Sequence, residues 1–201
     1  MLKNDLIDEI RGNDTKAPIV FYGYPGSGRA CAIASIIGNL NVIERSTIEI
    51  ICADDWTLGK NEQLRTFSNI LGCSFRKMQL PEISIDIHRK TFIYLPYDLT
   101  SCNQLFDQNT YRKFLVLDCS RRFSINVDLI NQVGISRIDG IVLSRMDSLD
   151  NYSELIELID EKNLNIVFCV WGNKLGIDCG FELPRLHQIG NRPDRDRFMS
   201  E

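Results

Sequence analysis

The sequence lacks the features that mark several large classes of protein. Its 201 residues include only two histidines, and a net charge of −4 leaves no basic excess. Proteins that bind nucleic acid through their overall electric field usually carry such an excess, so we expect no direct nucleic-acid partner. No apolar run approaches the roughly 20 residues that a bilayer-spanning helix needs. We therefore expect no membrane span, which leaves peripheral membrane contact open.

The seven cysteines form no recognisable disulfide or metal pattern. Their number is odd, and no two have the C-x-x-C spacing that is typical of zinc and redox sites. Most lie in or beside apolar runs, where a free cysteine behaves as a small hydrophobic residue. Residues 1–6 are polar and amphipathic and lack the apolar centre of a signal peptide. We therefore expect reduced thiols and a cytoplasmic location.

The sequence does contain a regular alternation of strand-like and helix-like segments. Hydrophobic residues make up 44% of the chain, which suits a globular protein. Segments such as 114–117 and 166–168 are continuous apolar runs, typical of parallel strands that helices cover on both faces. We predict strands at 18–22, 46–53, 74–79, 92–95, 113–118, 138–144 and 165–170. We predict helices at 2–12, 29–40, 58–72, 101–111, 124–134 and 151–162.

This order predicts an α/β fold with a doubly wound, mostly parallel sheet. Ligands of such sheets bind at the carboxyl ends of the strands. The sequence favours one domain over residues 17–183, preceded by a helical extension at 1–16 and followed by a charged tail at 184–201. The segment 80–100, which contains two prolines, is irregular, and its elements are not well predicted.

Residues 23–30 read Gly-Tyr-Pro-Gly-Ser-Gly-Arg-Ala and resemble a phosphate loop with two replaced side chains. They lie between an apolar run and a helix-like run, which is the context that the motif G-x-x-x-x-G-K-[ST] requires. The glycines let backbone N–H groups converge on phosphate oxygens, and the next helix adds a partial positive charge. The residues predicted to bind nucleotide here are Gly23, Gly26, Ser27, Gly28, Arg29 and Ala30. Arg29 replaces the motif's lysine, and Ala30 replaces the Ser/Thr that binds Mg²⁺.

Four other predicted strands also end in an acid or a glycine turn. The residues at these ends are Asp54, Asp118, Asp147 and Gly172. Because the carboxyl ends of parallel strands share one edge of a sheet, we expect these residues to lie on the same edge as the loop. Each has a plainer interpretation as well. Asp54 and Asp147 could cap helices, and the loop could be a glycine-rich turn without a ligand.

The order and spacing of these motifs resemble the signal recognition particle GTPases, a family that includes the particle's own GTPase, its receptor and FlhF. Residues 54–64 resemble the family's D-T-Y-R-x-x-A-x-E-Q-L, and 118–122 resemble its D-T-A-G-R. Residues 144–147 resemble T-K-x-D, and Gly172 matches the closing loop. The resemblance implies a P-loop G domain that binds GTP or GDP together with Mg²⁺.

The resemblance also implies roles for single residues. Asp54 would lie near the attacking water, and Gln63, in the matched Glu-Gln-Leu triplet, is a second catalytic candidate. Asp118 would hold Mg²⁺ indirectly, through water. Asp147 would pair with the guanine base, along which Arg145 would lie. Arg122, which matches the arginine of D-T-A-G-R, completes the nucleotide-binding set.

Departures from the family motifs predict weak hydrolysis of GTP. Thr57 stands where the family has Arg, and Arg121 stands where it has a Gly that approaches the γ-phosphate. Only about 16 residues precede the first strand, so we expect the family's N-terminal helical domain to be missing. The sequence thus favours a hydrolytically impaired GTP-binding protein that acts through a protein partner in targeting or flagellar placement. An active GTPase with a non-standard loop and another P-loop ATPase or kinase remain alternatives.

The two adjacent arginines also bear on assembly. Relatives pair their G domains with two nucleotides between them. Two Arg121–Arg122 pairs facing each other would repel unless phosphates lay between them. We therefore expect a monomer in the absence of nucleotide.

Overall fold

The computed structural model describes residues 7–8, 10–11, 17–40, 45–53, 60–148, 153–172 and 174–183. The strands within these ranges are β1 (Ile19–Tyr22), β2 (Ile48–Cys52), β3 (Ser74–Lys77), β4 (Lys90–Tyr94), β5 (Arg112–Asp118), β6 (Gly140–Ser144), β7 (Ile166–Val170) and β8 (Cys179–Gly180). The longer described ranges contain the helices α1 (Arg29–Asn39), α2 (Lys60–Leu71), α3 (Leu99–Phe106), α4 (Phe123–Val133) and α5 (Ser153–Glu161). Residues 7, 8, 10 and 11, from the predicted helix 2–12, have helical backbone.

The eight strands form one sheet in the order β3-β2-β4-β1-β5-β6-β7-β8. All neighbouring pairs are parallel except β7 and β8, which are antiparallel. The predicted mostly parallel doubly wound sheet is therefore confirmed. β8 has only two residues and was missed, because so short a strand leaves no pattern in the sequence.

The core divides into two layers, one on each face of the sheet. The side chains of Ile19 and Phe21 lie in one cluster, together with α1 and α2. Those of Val20 and Tyr22 lie in the other, together with α3, α4 and α5. Because successive side chains of a strand point to opposite faces, a strand buried on both faces must be apolar throughout. This explains the continuous apolar runs of the sequence.

The position of β1 creates the site. The chain leaves β1 through α1 toward β2 on one side, whereas β5 lies on the other side of β1. β1 thus has β4 and β5 as neighbours, and the segment after Tyr22 begins between their carboxyl ends. Such a point, where connections leave in opposite directions, is where open α/β sheets bind ligands.

The segment 80–100 supplies more of the sheet than its composition suggests. It contains β4, in the centre of the sheet, and the start of α3. Asp98 caps α3 by accepting hydrogen bonds from the N–H groups of Thr100 and Ser101, at 3.1 and 3.2 Å. The hydroxyl of Ser101 also donates to this carboxylate, and this bond, together with those from the N–H groups, holds the pKa of Asp98 below its ordinary value. Neither proline interrupts the strand, because Pro81 lies in the short turn Leu80–Glu82 and Pro96 follows the end of β4.

All seven cysteines lie in the described ranges and are free thiols, as the sequence predicts. Burial raises the pKa of the Cys119 thiol to about 12, with the neighbouring Asp118 charge as a smaller cause. Burial likewise raises the pKa of Cys73 to about 11. These thiols are therefore protonated at neutral pH, which keeps them unreactive.

The far end of α1 makes an unusually close backbone contact. A Cβ atom on Gly38 would lie 3.3 Å from the Cα atom of Gly176, in the turn that follows β7. The side chain of Asn39 donates hydrogen bonds to the carbonyl of Gly176, at 3.4 Å, and to Cys179 Sγ, at 3.0 Å. α1 therefore joins the loop after β1 to the turn after β7. Within the described residues, no helix is long and apolar enough to cross a membrane.

Truncating Phe21 should test the importance of the α1 layer. The Phe21 ring is fully buried and lies 5.6 Å from the ring of Phe114 and 6.1 Å from that of Phe92, centroid to centroid. We predict that Phe21→Ala lowers the free energy of unfolding by about 3–5 kcal/mol, measured by urea denaturation. Phe123, which is 39% exposed, is the control, and Phe123→Ala should change it by about 0.5 kcal/mol or less. Equal effects of the two substitutions would contradict this view of the core.

Candidate phosphate-binding site

Residues 23–28 form a tight loop between β1 and α1. Gly26 and Gly28 have φ values of 80° and 81°, a left-handed backbone that residues with a Cβ rarely adopt. The N–H group of Ser27 donates to the carbonyl of Tyr24 at 3.0 Å and closes the turn. Gly28 precedes α1 and gives the first turn of the helix no side-chain cap. The loop therefore has the backbone shape of an anion cradle.

The end of β6 supports this loop from behind. Ser144 Oγ lies 2.7 Å from the carbonyl oxygen of Ser27 and 3.1 Å from that of Leu117, and it donates its hydrogen between them. A Cβ atom on Gly28 would lie 3.3 Å from the Cβ atom of Ser144. Ser144 was not among the predicted site residues, although it begins the matched 144–147 motif. Its role depends on contact between distant strands, which the sequence alone does not show.

The hydroxyl of Ser27 is buried in the loop. The residue is 1% exposed, and its Oγ atom has no hydrogen-bond partner among the described residues. This oxygen lies 2.8 Å from where a Cβ atom on Gly23 would be, so a side chain at position 23 would fill the space. A buried hydroxyl without a partner costs stability in a packed protein. Two explanations fit the unpaired hydroxyl. Either a ligand supplies its partner, or the hydroxyl fills the space that the missing side chain of Gly23 leaves.

Arg29 does not present its charge to the loop in this arrangement. The residue is 2% exposed, and its guanidinium carbon lies 4.2 Å from the ring centroid of Tyr94. Its Nη1 atom donates a hydrogen bond to the carbonyl of Leu95. Both contacts are at the end of β4, so the guanidinium would have to leave this packing to reach a phosphate. The phosphate contact expected of Arg29 stays a prediction.

The described residues do not fit a Mg²⁺ ion. P-loop proteins hold the ion with the Ser/Thr of the loop and an acid from a neighbouring strand. Here Ala30 offers only a buried methyl group. β4 is followed by Leu95, Pro96 and Tyr97, which carry no carboxylate. Nowhere in the described ranges do three His, Cys, Asp or Glu side chains come together as a metal-binding group.

Asp118, the acid expected to hold Mg²⁺, is occupied by protein partners. The residue is 1% exposed, and its Oδ1 accepts from the N–H and hydroxyl groups of Ser120 at 3.0 and 2.5 Å. Its Oδ2 accepts from Arg121 Nε at 3.2 Å and from Arg145 Nη1 at 3.4 Å. The side chain of Asn126 donates to its backbone carbonyl at 3.0 Å. The carboxylate therefore organises the end of β5.

Arg121 bridges the end of β5 and the loop. Its Nη2 atom lies 2.5 Å from the carbonyl oxygen of Pro25 and 3.6 Å from where a Cβ atom on Gly26 would be. Its guanidinium carbon lies 5.5 Å from the ring centroid of Tyr24. Tyr24 in turn contacts the ring of Tyr97, with centroids 5.3 Å apart. Burial, followed by Tyr97, raises the pKa of Tyr24, so its hydroxyl is neutral at physiological pH.

The residues expected to read the base follow β6 directly. Arg145 is about half exposed, and its φ of 55° is unusual for a residue with a side chain. Asp147 is partly buried in the short turn Met146–Ser148. Strain of this kind occurs often at functional sites. The guanine contacts expected of Arg145 and Asp147 are not tested by this geometry.

The remaining predicted residues lie around the loop in different ways. Gln63 Nε2 lies 3.9 Å from the sulfur of Cys31, in the first turn of α1. Arg122 is exposed and precedes α4. A Cβ atom on Gly172 would lie 2.5 Å from an oxygen of Asp178, so this position needs glycine for packing reasons. Asp54 lies outside the described residues.

Two serine substitutions should distinguish the role of Ser144, which supports the loop, from that of Ser27, whose hydroxyl is unpaired. Ser144→Ala leaves two buried carbonyls without their donor, and we predict a loss of about 1–3 kcal/mol in the free energy of unfolding. Ser27→Ala removes a hydroxyl without a partner, and the free energy should stay the same or rise slightly. Urea denaturation of both variants measures the difference. A larger loss for Ser27→Ala would mean that its hydroxyl has a structural partner in solution.

Comparison with known proteins supports the fold. No protein-family model matches the chain, and no curated protein matches it. Among solved structures, FlhF complexed with GMPPNP and Mg²⁺ is similar with a TM-score of 0.66 and 16% identity, over 90% of this chain and 78% of that one. Cell division protein FtsY from Thermotoga maritima is similar with a TM-score of 0.65 and 14% identity, over 90% of this chain and 72% of that one.

A third similar structure is the Signal Recognition Particle 54 kDa protein from Aeropyrum pernix in complex with GDP. Its TM-score is 0.61 and its identity 14%, over 94% of this chain and 51% of that one. Identities this low establish the fold alone. The mostly parallel sheet, the glycine loop after β1 and these matches agree: the chain has the fold of a signal recognition particle-type GTPase G domain.

Proposed function

We propose that the chain is a divergent GTP-binding protein whose loop holds nucleotide phosphates without Mg²⁺ and hydrolyses them poorly or not at all. The observation that carries this is the combination of an intact backbone cradle with missing metal ligands. Gly26 and Gly28 retain the left-handed backbone, whereas Ala30 offers only a methyl group. The FlhF structure contains GMPPNP and Mg²⁺, so the fold itself accommodates both.

The loss of hydrolysis follows from electrostatics. Phosphoryl transfer depends on charges placed around the transferred phosphate, with a metal ion and a lysine as the main ones. In this chain the Arg29 guanidinium packs against Tyr94. The Asp118 carboxylate is already paired with arginines and Ser120. The two charges on which the motif relies, the lysine and the metal ion, are therefore not supplied by the motif positions.

If the protein binds nucleotide but does not hydrolyse it, it acts through contacts with another protein. The names of the similar structures include the signal recognition particle and its receptor, which supports a place in protein targeting. The motif resemblance to FlhF extends the proposal to flagellar placement. Exposed aromatic rings lie near the loop, with Tyr97 at 42% and Phe123 at 39% exposure. Rings of this kind are enriched where proteins bind each other. The cytoplasm remains the proposed location.

Nucleotide titrations test the proposal directly. We predict that GTP and GDP bind more tightly than ATP, because Asp147 matches the guanine-pairing acid of the motif T-K-x-D. Their affinities should agree within about threefold between excess Mg²⁺ and EDTA, since Ala30 supplies no ligand. Isothermal titration calorimetry measures both. A tight GTP complex that disappears in EDTA would favour the active GTPase instead, and equal binding of ATP would favour another P-loop enzyme.

A reconstructed loop gives the matched control for this titration. Arg29→Lys together with Ala30→Thr restores the motif and should make GTP binding stronger in Mg²⁺ than in EDTA. Both positions are buried, so a thermal melt must first show that the double variant is folded. A folded variant without any Mg²⁺ dependence would mean that the paired Asp118, not the loop, prevents metal binding.

The proposal includes a monomeric state without nucleotide. Arg121 and Arg122 lie side by side after β5, and two such pairs facing each other would repel. We predict that light scattering of the nucleotide-free protein gives the mass of one chain. A stable nucleotide-free dimer that Arg121→Glu dissociates would contradict this, because it would place the arginines in an attractive interface.

A further inference from the structure

Two arginines lie close to the phosphate loop, but they present their charges in opposite ways. Arg29 is inside the motif, yet it is 2% exposed and packs on Tyr94 and Leu95. Arg121 is outside the motif, yet its guanidinium contacts the loop at Pro25 and its side chain is 31% exposed. The charge that a solvent-borne anion meets at this loop is therefore that of Arg121.

The surroundings of Arg121 leave a positive charge for a ligand. Asp118 is the acid that contacts it, and the same carboxylate is shared with Arg145. Two arginines thus share one buried carboxylate, so at this contact the cations outnumber the acids. Arg145 is about half exposed, so it can follow a ligand without disturbing the core. Because the buried Asp118 carboxylate needs at least one cation, it holds Arg121 and Arg145 beside the loop even when no ligand is bound.

A second observation points to a ligand at the same place. The Ser27 hydroxyl is 1% exposed and has no partner among the described residues, and it lies within the loop that Arg121 covers. The φ values of Gly26 and Gly28 turn the loop's backbone into a cradle. An arginine that donates to a carbonyl at the rim of such a cradle can exchange that oxygen for a phosphate oxygen, which binds guanidinium more strongly.

We propose that Arg121 is the residue that binds the outer phosphates of the nucleotide, in place of the missing phosphate-loop lysine. This inference rests on the proposed function, because it names the ligand of that same loop as a diphosphate. On binding, the guanidinium exchanges the Pro25 carbonyl for phosphate oxygens and keeps Asp118 as its anchor through Nε. The planar guanidinium contacts two oxygens at once, which a lysine does not.

The experiment uses the full chain and two probes, inorganic pyrophosphate and GDP, both titrated in EDTA by calorimetry. Arg121→Ala should weaken the binding of each probe roughly tenfold or more, the size expected when a charged hydrogen bond is lost. The control is Arg137→Ala, which removes an arginine at the amino end of the strands, where it pairs with Asp107 at 2.8 Å, and should change each affinity by about twofold or less. Arg121→Lys should lie between wild type and Arg121→Ala, because it keeps the charge and loses the planar contact.

Salt dependence distinguishes binding from mere support of the loop. Added NaCl should weaken pyrophosphate binding to the wild type, and this dependence should be smaller in Arg121→Ala, since one ligand-facing charge is gone. A structural role would not change the dependence. Arg121→Lys keeps the test valid if the alanine variant does not fold, because the charge still pairs with Asp118. If Arg121→Lys instead has wild-type affinity and salt dependence, the claim that the planar guanidinium of Arg121 contacts two phosphate oxygens at once is wrong.

The outcomes separate this inference from the proposed function. A wild type that binds GDP while Arg121→Ala binds it equally well would overturn the role of Arg121 and leave the proposed function standing. Tighter binding by Arg121→Ala would also overturn it, and would identify Arg121 as a latch that closes the loop. A wild type that binds neither probe at millimolar concentration would overturn both.

Discussion

The buried carboxylate of Asp118 imposes the constraint on which the carboxyl edge of the sheet depends. A negative charge that is almost completely removed from water must be paired or lose its charge. In this chain it is paired by Ser120 and by two arginines that come from the ends of β5 and β6. One of these arginines also contacts the loop after β1. A single desolvated charge therefore fixes the relative positions of three neighbouring strand ends.

The replacements in the phosphate loop form a consistent set. An arginine in place of lysine would be a bulky cation in a narrow site, but here it packs on the ring of Tyr94 and donates to Leu95. Alanine at the next position packs in the apolar layer of α1. The acid that would complete a metal site has protein partners instead. The loop thus retains what depends on the backbone and has lost what depends on side chains.

The sequence predicted the elements better than their arrangement. Strands such as β5 were predicted because burial on both faces gives continuous apolar runs such as 114–117, which local composition shows. β3, at the edge of the sheet, is only partly buried and has no such run. The place of β4 between β2 and β1 was not predictable, since strand order depends on contacts between residues far apart in the chain. For the same reason the support by Ser144 was missed. The direction of the Arg29 side chain depends on a rotamer and on Tyr94, and neither leaves a signal in the motif.

The contact between Gly38 and Gly176 makes α1 a mechanical link across the molecule. The helix has 11 residues and is therefore roughly 16 Å long, with the phosphate loop at one end and the turn after β7 at the other. No side chain separates the two glycine backbones, so nothing soft is available there to absorb a displacement. The end of the helix is therefore held against the turn by backbone alone. That turn carries Ile177, which is 70% exposed, so the same rigid helix begins at the phosphate loop and ends beside an exposed apolar side chain.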